Sequence, residues 1–161
     1  MLPPQPDGSA GSLGLVRANQ GHSTSAVESD ALLTELTLAD VARFPTVCHG
    51  TTLAAWPNIQ QSGLSRMTRR HVHFAPRAPG QGQVISGMRS SSSCIIYLDL
   101  ARAMAAGLRF YLAQNEVILT EGDAEGFVRP DFFLRIVDVK AGVELPTAPA
   151  AAASQPVLAN P

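Results

Sequence analysis

The sequence predicts an α+β fold made of small antiparallel sheets and two or more helices. Short apolar runs recur along the chain, some alternating and some continuous, as strands do. Two segments have helical composition and end at a glycine, Gly63 or Gly107. Clusters of Gly, Pro and Ser separate the segments. The pattern therefore gives five to seven short strands and two helices, with no internal repeat.

Strand patterns are found throughout the chain. The alternation in residues 71–75 (HVHFA) places Val72 and Phe74 opposite the two histidines, and residues 94–99 (CIIYLD) form the nearly continuous apolar run of a buried strand. Residues 31–38 fit either a strand or a linker. Candidate segments for the remaining strands are 13–17, 46–49, 109–112, 116–120, 127–129 and 132–139, whereas 84–89 is ambiguous.

Two helices are predicted between these strands. The first covers residues 51–62, with Thr51 or Thr52 as its N-cap and Pro57 in its first turn or at a kink. The second covers residues 100–106, which are rich in good helix formers. Each helix ends at one of the two glycines, because glycine readily adopts the left-handed conformation that closes a helix.

The length of 161 residues suits one domain. Residues 1–12 are rich in Pro, Gly and Ser, and residues 141–161 in Ala and Pro, so both are predicted to be disordered tails. No apolar stretch is long enough to span a membrane, and the start lacks a signal-peptide pattern. The two cysteines form no C-x-x-C pattern, which favours the cytoplasm or the nucleus.

Charge is distributed unevenly. The formal net charge is −1, yet residues 41–98 contain no Asp or Glu. Such a region attracts anions, and the planar guanidinium of arginine matches two phosphate oxygens at once. A codon bias explains the excess of Arg over Lys equally well, but it does not explain the missing acids. The cations in this stretch are Arg43, Arg66, Arg69, Arg70, Arg77, Arg89, His49, His71 and His73.

Three short motifs place polar or cationic groups beside a glycine, where the backbone can approach a ligand closely. Residues 84–89 (VISGMR) end in Arg89; the plain alternative is a surface loop. Residues 48–52 (CHGTT) suit a ribose or phosphate near a helix N-terminus, or a capped helix with a bystander histidine. Residues 17–22 suit an anion or a polar loop, and their side chains include Arg17, Asn19, Gln20 and His22.

The histidines of the predicted strand, His71 and His73, lie on one face. A His-x-His pair is a possible start of a zinc site, but a third ligand is needed and the surrounding arginines disfavour a cation. We therefore expect no metal. An anionic ligand fits this strand better, and structural packing of the two rings is the alternative.

In order and spacing, these motifs resemble the RNA (tRNA) 2′-phosphotransferase family. The resemblance extends over residues 13–138. The matching text is VRANQGHS (16–23), CHGT (48–51), MTRRHVHFAP (67–76), VISGMR (84–89), IIYLDL (95–100) and FYLAQNEVILT (110–120).

The resemblance implies an enzyme that removes the splice-junction 2′-phosphate from ligated tRNA with NAD+, giving nicotinamide and ADP-ribose 1″,2″-cyclic phosphate. It implies a winged-helix RNA lobe followed by an NAD+-binding lobe similar to ADP-ribosyltransferases. Residues 13–41 would be a remnant of the first lobe and a linker, and residues 42–140 the second lobe. We expect a monomer whose partners are 2′-phosphorylated tRNA and NAD+, with no membrane.

Site residues follow from the same resemblance. Arg17 and Arg89 would be the catalytic arginines that bind the reacting phosphate. The NAD+-binding residues would be His49, Gly50, Thr51, Arg69, His73 and Asn115. The RNA would be bound by Arg17, Asn19, Gln20, His22 and Arg89.

One departure from the family pattern concerns an Arg-His pair in the N-terminal lobe. In this chain the dipeptide occurs only at Arg70-His71, within a later motif. We therefore expect that most of the RNA lobe is missing, as in a fragment, a truncated isoform or a degenerate copy. Two other functions stay open: ADP-ribosylation of nucleic-acid phosphate ends, and non-catalytic binding of NAD+ or RNA.

Overall fold

The computed structural model describes residues 32–81, 89 and 91–147. This part of the chain holds two α-helices, α1 (Trp56–Ser62) and α2 (Leu100–Ala105), and two 3-10 helices, Leu38–Arg43 and Pro130–Phe132. None of its helices has the length and apolar character needed to cross a bilayer. Its strands are β1 (Leu33–Glu35), β2 (Cys48–Thr51), β3 (Leu64–Ser65), β4 (Val72–Phe74), β5 (Cys94–Leu98), β6 (Tyr111–Ala113), β7 (Ile118–Thr120), β8 (Phe127–Val128), β9 (Phe133–Asp138) and β10 (Val143–Leu145).

The strands form two four-stranded antiparallel sheets and one small pair. The first sheet has the order β1-β6-β7-β4, the second has the order β10-β9-β5-β2, and β3 pairs with β8. A single antiparallel bridge between Cys48 and Ala75 connects the two sheets, because β2 and β4 are their neighbouring edge strands. An architecture of helices and small antiparallel sheets confirms the predicted α+β class.

One main core lies between the sheets and the helices. Its largest fully buried side chains include Phe74, Phe110, Ile96, Ile118 and Ile136, contributed by both sheets. Burial of this many apolar side chains is the main force that holds the sheets together.

The strongest sequence patterns are confirmed. Val72 and Phe74 of β4 are buried while its histidine faces the other side. β5 is buried along nearly its whole length because β9 and β2 flank it in the sheet. α2 begins where Asp99 accepts a hydrogen bond from the backbone N–H of Arg102.

The first helix starts later than the sequence predicts. Thr51 belongs to β2, where it pairs with Cys94, so the predicted helix start at residue 51 is wrong. Thr52 caps only a turn, since its hydroxyl accepts a hydrogen bond from the N–H of Ala55. Pro57 lies in the first helical turn and Gly63 ends the helix at φ +96°, both as predicted.

Secondary structure continues on both sides of residues 42–140. β1 pairs with β6, and the Leu38–Arg43 helix packs near α2, so residues before 42 join the same body. β10 pairs with β9, so the ordered structure reaches into the predicted tail at 141–161. The strand count is ten within the described residues rather than five to seven, because strands of two or three residues are too short to show a period.

Candidate active site

The two sheets diverge directly after the Cys48–Ala75 bridge. Cys48 and Ala75 exchange both backbone hydrogen bonds, with N···O distances of 2.9 and 2.8 Å. On the opposite side of the strand, the carbonyl of Val47 accepts a hydrogen bond from Leu98 N–H. Since backbone groups alternate along an antiparallel strand, the N–H and C=O of Gly50 point to the same side as those of Cys48, toward β4.

His49 lies between the diverging strands. A continued ladder would pair Gly50 with His73, but the Nδ1 of His49 lies 2.8 Å from the carbonyl oxygen of His73. The ring also contacts Phe74 edge to face, with a centroid distance of 5.9 Å. A carbonyl oxygen can only accept, so Nδ1 of a neutral His49 carries the proton and Nε2 is left as an acceptor.

The surroundings of both histidines favour the neutral ring. Burial lowers the pKa of His49, and the charge of Arg69 acts in the same direction, although the hydrogen bond to His73 opposes them. The pKa of His73 is lowered to about 4, mainly by burial and then by the charges of Arg69, His71 and His49. At neutral pH both imidazoles are therefore uncharged hydrogen-bonding groups.

Arg69 lies in a tight turn just before β4. The carbonyl of Arg66 accepts a hydrogen bond from Arg69 N–H at 3.0 Å, and the guanidinium of Arg66 donates one to the carbonyl of Arg69 at 3.2 Å. Met67, inside this turn, has a left-handed backbone at φ +54°. The turn places the Arg69 charge close enough to His49 and His73 to affect both rings.

The far end of β2 is tied to the segment that carries Arg89. Ser93 N–H donates to the carbonyl of Thr51 at 3.0 Å, and the Ser93 hydroxyl accepts from Leu53 N–H at 3.0 Å. Arg89 exchanges hydrogen bonds with Ser92 in a short turn. The exposed Arg89 is therefore held near the end of the strand that carries His49 and Gly50.

Asn115 lies at the other end of β4 from Arg69. It belongs to the turn between β6 and β7, next to Glu116, whose carboxylate pairs with Arg77 at 2.8 Å. Arg77 follows β4, and its carbonyl accepts a hydrogen bond from the thiol of Cys48. The structure thus places Asn115 beside the closed part of the β2–β4 junction.

Burial makes the two cysteines unreactive. The pKa of the Cys48 thiol is raised to about 12 and that of the Cys94 thiol to about 11, chiefly by burial. Within residues 32–81, 89 and 91–147, no three His, Cys, Asp or Glu side chains converge on a point where a metal ion could bind.

The predicted residues Arg17, Asn19, Gln20 and His22 lie outside the described residues. His49, Gly50, Thr51, Arg69, His73 and Arg89 are grouped around the β2–β4 junction and the end of β2. Ser93, which belongs to none of the predicted motifs, positions this group. Its place immediately before a strongly predicted strand is the signal that could have identified it.

Comparisons with known proteins agree with the motif resemblance. Residues 7–122 match the model of the RNA 2′-phosphotransferase, Tpt1 / KptA family. The chain is 43% identical over 125 residues to a protein named tRNA 2′-phosphotransferase 1 from Danio rerio, covering 78% of this chain and 55% of that protein. It is 38% identical over 126 residues to the Homo sapiens protein of that name, covering 78% of this chain and 49% of the relative.

A bacterial relative extends the comparison. The protein named probable RNA 2′-phosphotransferase from Rhizobium leguminosarum bv. trifolii is 31% identical over 116 residues, which are 72% of this chain and 58% of that protein. The chain thus spans about half the length of these curated relatives. The matching region includes the β2–β4 junction and Arg89, and the chain belongs to the RNA 2′-phosphotransferase family.

Proposed function

We propose that this chain is the NAD+-binding part of an RNA 2′-phosphotransferase that removes the splice-junction 2′-phosphate from ligated tRNA. The observation that carries the proposal is the contact between His49 and the His73 carbonyl, at the point where β2 and β4 diverge. The substrate class comes from the names of the relatives, which include tRNA 2′-phosphotransferases from animals. The fold that we assign to the NAD+ lobe is ADP-ribosyltransferase-like.

The residues at the junction fit NAD+. Gly50 presents a backbone donor and a backbone acceptor toward the gap, and a carboxamide such as that of nicotinamide offers the complementary pair. His49 Nε2 can accept a hydrogen bond from a ribose hydroxyl, because Nδ1 is occupied by the His73 carbonyl. When bound, NAD+ supplies a ribose carbon activated by nicotinamide as its leaving group.

The chain's own residues would orient and charge-balance the reactants. The neutral rings of His49 and His73 bind without adding charge to the gap. Arg69, just before β4, and Arg89, in the segment tied to the end of β2, carry guanidinium groups that would stabilise the negative charge of the reacting phosphate. Arg17 is assigned the same role from the family pattern. We also propose a monomer that acts in the cytoplasm or the nucleus.

The proposal is tested by incubating the chain with NAD+ and an oligoribonucleotide that carries one internal 2′-phosphate. We expect release of nicotinamide and ADP-ribose 1″,2″-cyclic phosphate, measured by mass spectrometry. His49→Ala removes the ring that fills the gap and should weaken NAD+ binding about tenfold, the effect of losing one or two well-made hydrogen bonds. NAD+ affinity is measured separately by calorimetry.

His71→Ala is the matched control, because His71 precedes the same strand but packs against Tyr111 at a ring distance of 6.1 Å. It should leave NAD+ affinity within about twofold. NAD+ binding without product would favour a non-catalytic binding protein, and an oligonucleotide heavier by one ADP-ribose would favour a nucleic-acid ADP-ribosyltransferase. An absence of NAD+ binding by the folded chain contradicts the two transferase functions and a non-catalytic NAD+-binding protein.

A further inference from the structure

We propose that a polar pocket on the opposite side of β4 from His49 binds a phosphate of the RNA backbone, away from the splice-junction phosphate. The proposal rests on the proposed function, since it takes RNA to be the substrate. The pocket has a volume of about 390 Å³ and is open to solvent. Its lining is Arg66, Arg70, Glu121, Gly122, Asp123 and Ala124.

The position of the pocket follows from the sheet order. β4 has β2 on one side, through the Cys48–Ala75 bridge, and β7 on the other, where Val72 pairs with Thr120. The residues that follow β7 form one wall of the pocket and the turn before β4 forms the other. The six lining residues are therefore different from those assigned to the His49 gap, although Arg69 lies between Arg66 and Arg70 in the turn before β4.

Arg66 is held in place before any ligand arrives. Its backbone N–H donates to the carbonyl of Gly126 at 3.0 Å, and its guanidinium donates to the carbonyl of Arg69 at 3.2 Å. Its side chain lies against Gly126 so closely that a Cβ on Gly126 would be 2.5 Å from Arg66 Nε. An arginine fixed in this way loses little side-chain entropy when it binds a phosphate.

The charged side chains of the lining are two arginines, Arg66 and Arg70, and two acids, Glu121 and Asp123. The Asp123 carboxylate is already engaged, accepting hydrogen bonds from the backbone N–H groups of Glu125 and Phe127 and from Arg129 Nε. Burial raises the pKa of Asp123, but these hydrogen bonds outweigh it and lower the pKa overall. Glu121 is then the one acid of the lining that Arg129 does not engage, and it is opposed by Arg66 and Arg70.

The lining suits a backbone phosphate better than a part of NAD+. Small-molecule sites are usually enclosed and mostly apolar, and an adenine ring needs an aromatic or aliphatic surface. The six lining residues offer charged groups, backbone and one alanine. An open, charged pocket suits a polymer that continues into solvent on both sides, and such contacts are independent of base sequence.

The test measures binding of a plain single-stranded RNA oligonucleotide, without a 2′-phosphate and without NAD+. Arg66→Ala combined with Arg70→Ala should weaken RNA binding about tenfold, and the slope of log affinity against log salt should fall by about 0.7 for each phosphate that the variant no longer neutralises. Arg43→Ala combined with Arg102→Ala removes the same charge from another exposed surface and should weaken binding less than about twofold. Circular dichroism checks that both double variants are folded.

Glu121→Gln gives an independent readout that keeps both arginines. It removes the opposing charge and should tighten RNA binding about twofold. The proposal is overturned if the two double variants weaken RNA binding equally, if Glu121→Gln has no effect, or if the Arg66 and Arg70 variants reduce NAD+ affinity instead. Because neither NAD+ nor a 2′-phosphate is present, a failure of the transfer reaction would leave this result standing.

Discussion

The two sides of β4 present opposite kinds of chemistry. On the β2 side, the rings of His49 and His73 are partly buried and neutral. Nδ1 of His49 lies 2.8 Å from the backbone carbonyl oxygen of His73. On the β7 side, Arg66 and Arg70 are exposed and charged around an open pocket. The same short strand therefore borders a gap that can orient a ligand and a surface that can attract one.

The difference shows how burial assigns roles to cationic residues. A buried histidine loses its charge because the protonated ring cannot be solvated, and it then acts through directed hydrogen bonds. An exposed arginine keeps its charge and acts at longer range, although salt screens it. A stretch that is uniformly basic in sequence is thus divided by the fold into an orienting site and an attracting site.

The largest expected effect comes from a change that damages both sides at once. Phe74 of β4 is fully buried and contacts both His49 and Phe110. Phe74→Ala should lower the free energy of unfolding by about 3–5 kcal/mol, because it removes a large core side chain and leaves a cavity. Urea denaturation followed by circular dichroism measures this effect.

Val139→Ala is the control for that loss of stability. Val139 is 45% exposed, so its truncation should lower the free energy of unfolding by about 0.5 kcal/mol or less. Binding of both NAD+ and RNA should fall for Phe74→Ala in proportion to the unfolded fraction. If Phe74→Ala reduces binding of one ligand while stability is unchanged, the two sides of β4 do not depend on a shared core.

Sequence patterns predict the difference between the two sides of β4 only in part. The alternation in residues 71–75 was enough to place Val72 and Phe74 in the core, because a strand with one buried face must alternate. The acid-free stretch predicted a positive surface. The sequence pattern could not show that His73 and Arg66 belong to different sides of β4. The strands that flank β4 are set by long-range pairing, which leaves no local signal.

The wrong predictions for the start of α1 and for β10 have one physical cause, which is strand pairing between distant parts of the sequence. Local propensity predicts a helix cap at Thr51 or Thr52, but the pairing of Thr51 with Cys94 extends β2, and α1 begins only at Trp56. β10 was missed because its three residues adjoin an Ala- and Pro-rich segment, yet β9 offers an edge with which they pair. The divergence of β2 and β4, which creates the gap, has no local sequence signature.

A smaller loss of stability is expected on acidification, and it should come from His49 and His73 on the β2 side of β4. His73 has an ordinary pKa near 6.5 and a folded-state pKa of about 4, so the unfolded chain binds more protons between these values. The stabilisation is present above pH 6.5 and is lost as the pH falls through 6.5 toward 4; the lowered pKa of His49 adds in the same direction. Urea midpoints should therefore decrease between about pH 7.5 and 5.

His73→Asn removes one of the two titrating rings and should flatten this decrease. The carboxylates with lowered pKa values, Glu35, Asp40 and Asp123, lose their contribution only below their ordinary values near 4, outside this window. An unchanged pH dependence in His73→Asn would show that the buried pair does not control stability. Plain RNA should still bind at about pH 5.5, because guanidinium groups remain charged.

The smallest expected effect concerns the glycine that supports the arginine side. Gly126 has φ +84°, and an added Cβ would lie 2.5 Å from Arg66 Nε. Gly126→Ala should cost about 1–2 kcal/mol of stability from the left-handed backbone and should also displace the Arg66 side chain. We expect RNA binding to weaken about threefold, less than in the double arginine variant, because Arg66 keeps its charge.

Gly80→Ala separates the backbone strain from the displacement. Gly80 has a nearly identical φ of +82°, but nothing lies within 4 Å of the position of an added Cβ. Both variants should therefore lose similar stability, whereas Gly126→Ala alone should weaken RNA binding. Equal RNA affinities in the two variants would mean that the position of the Arg66 guanidinium is unimportant, and that the arginine side attracts RNA by net charge alone.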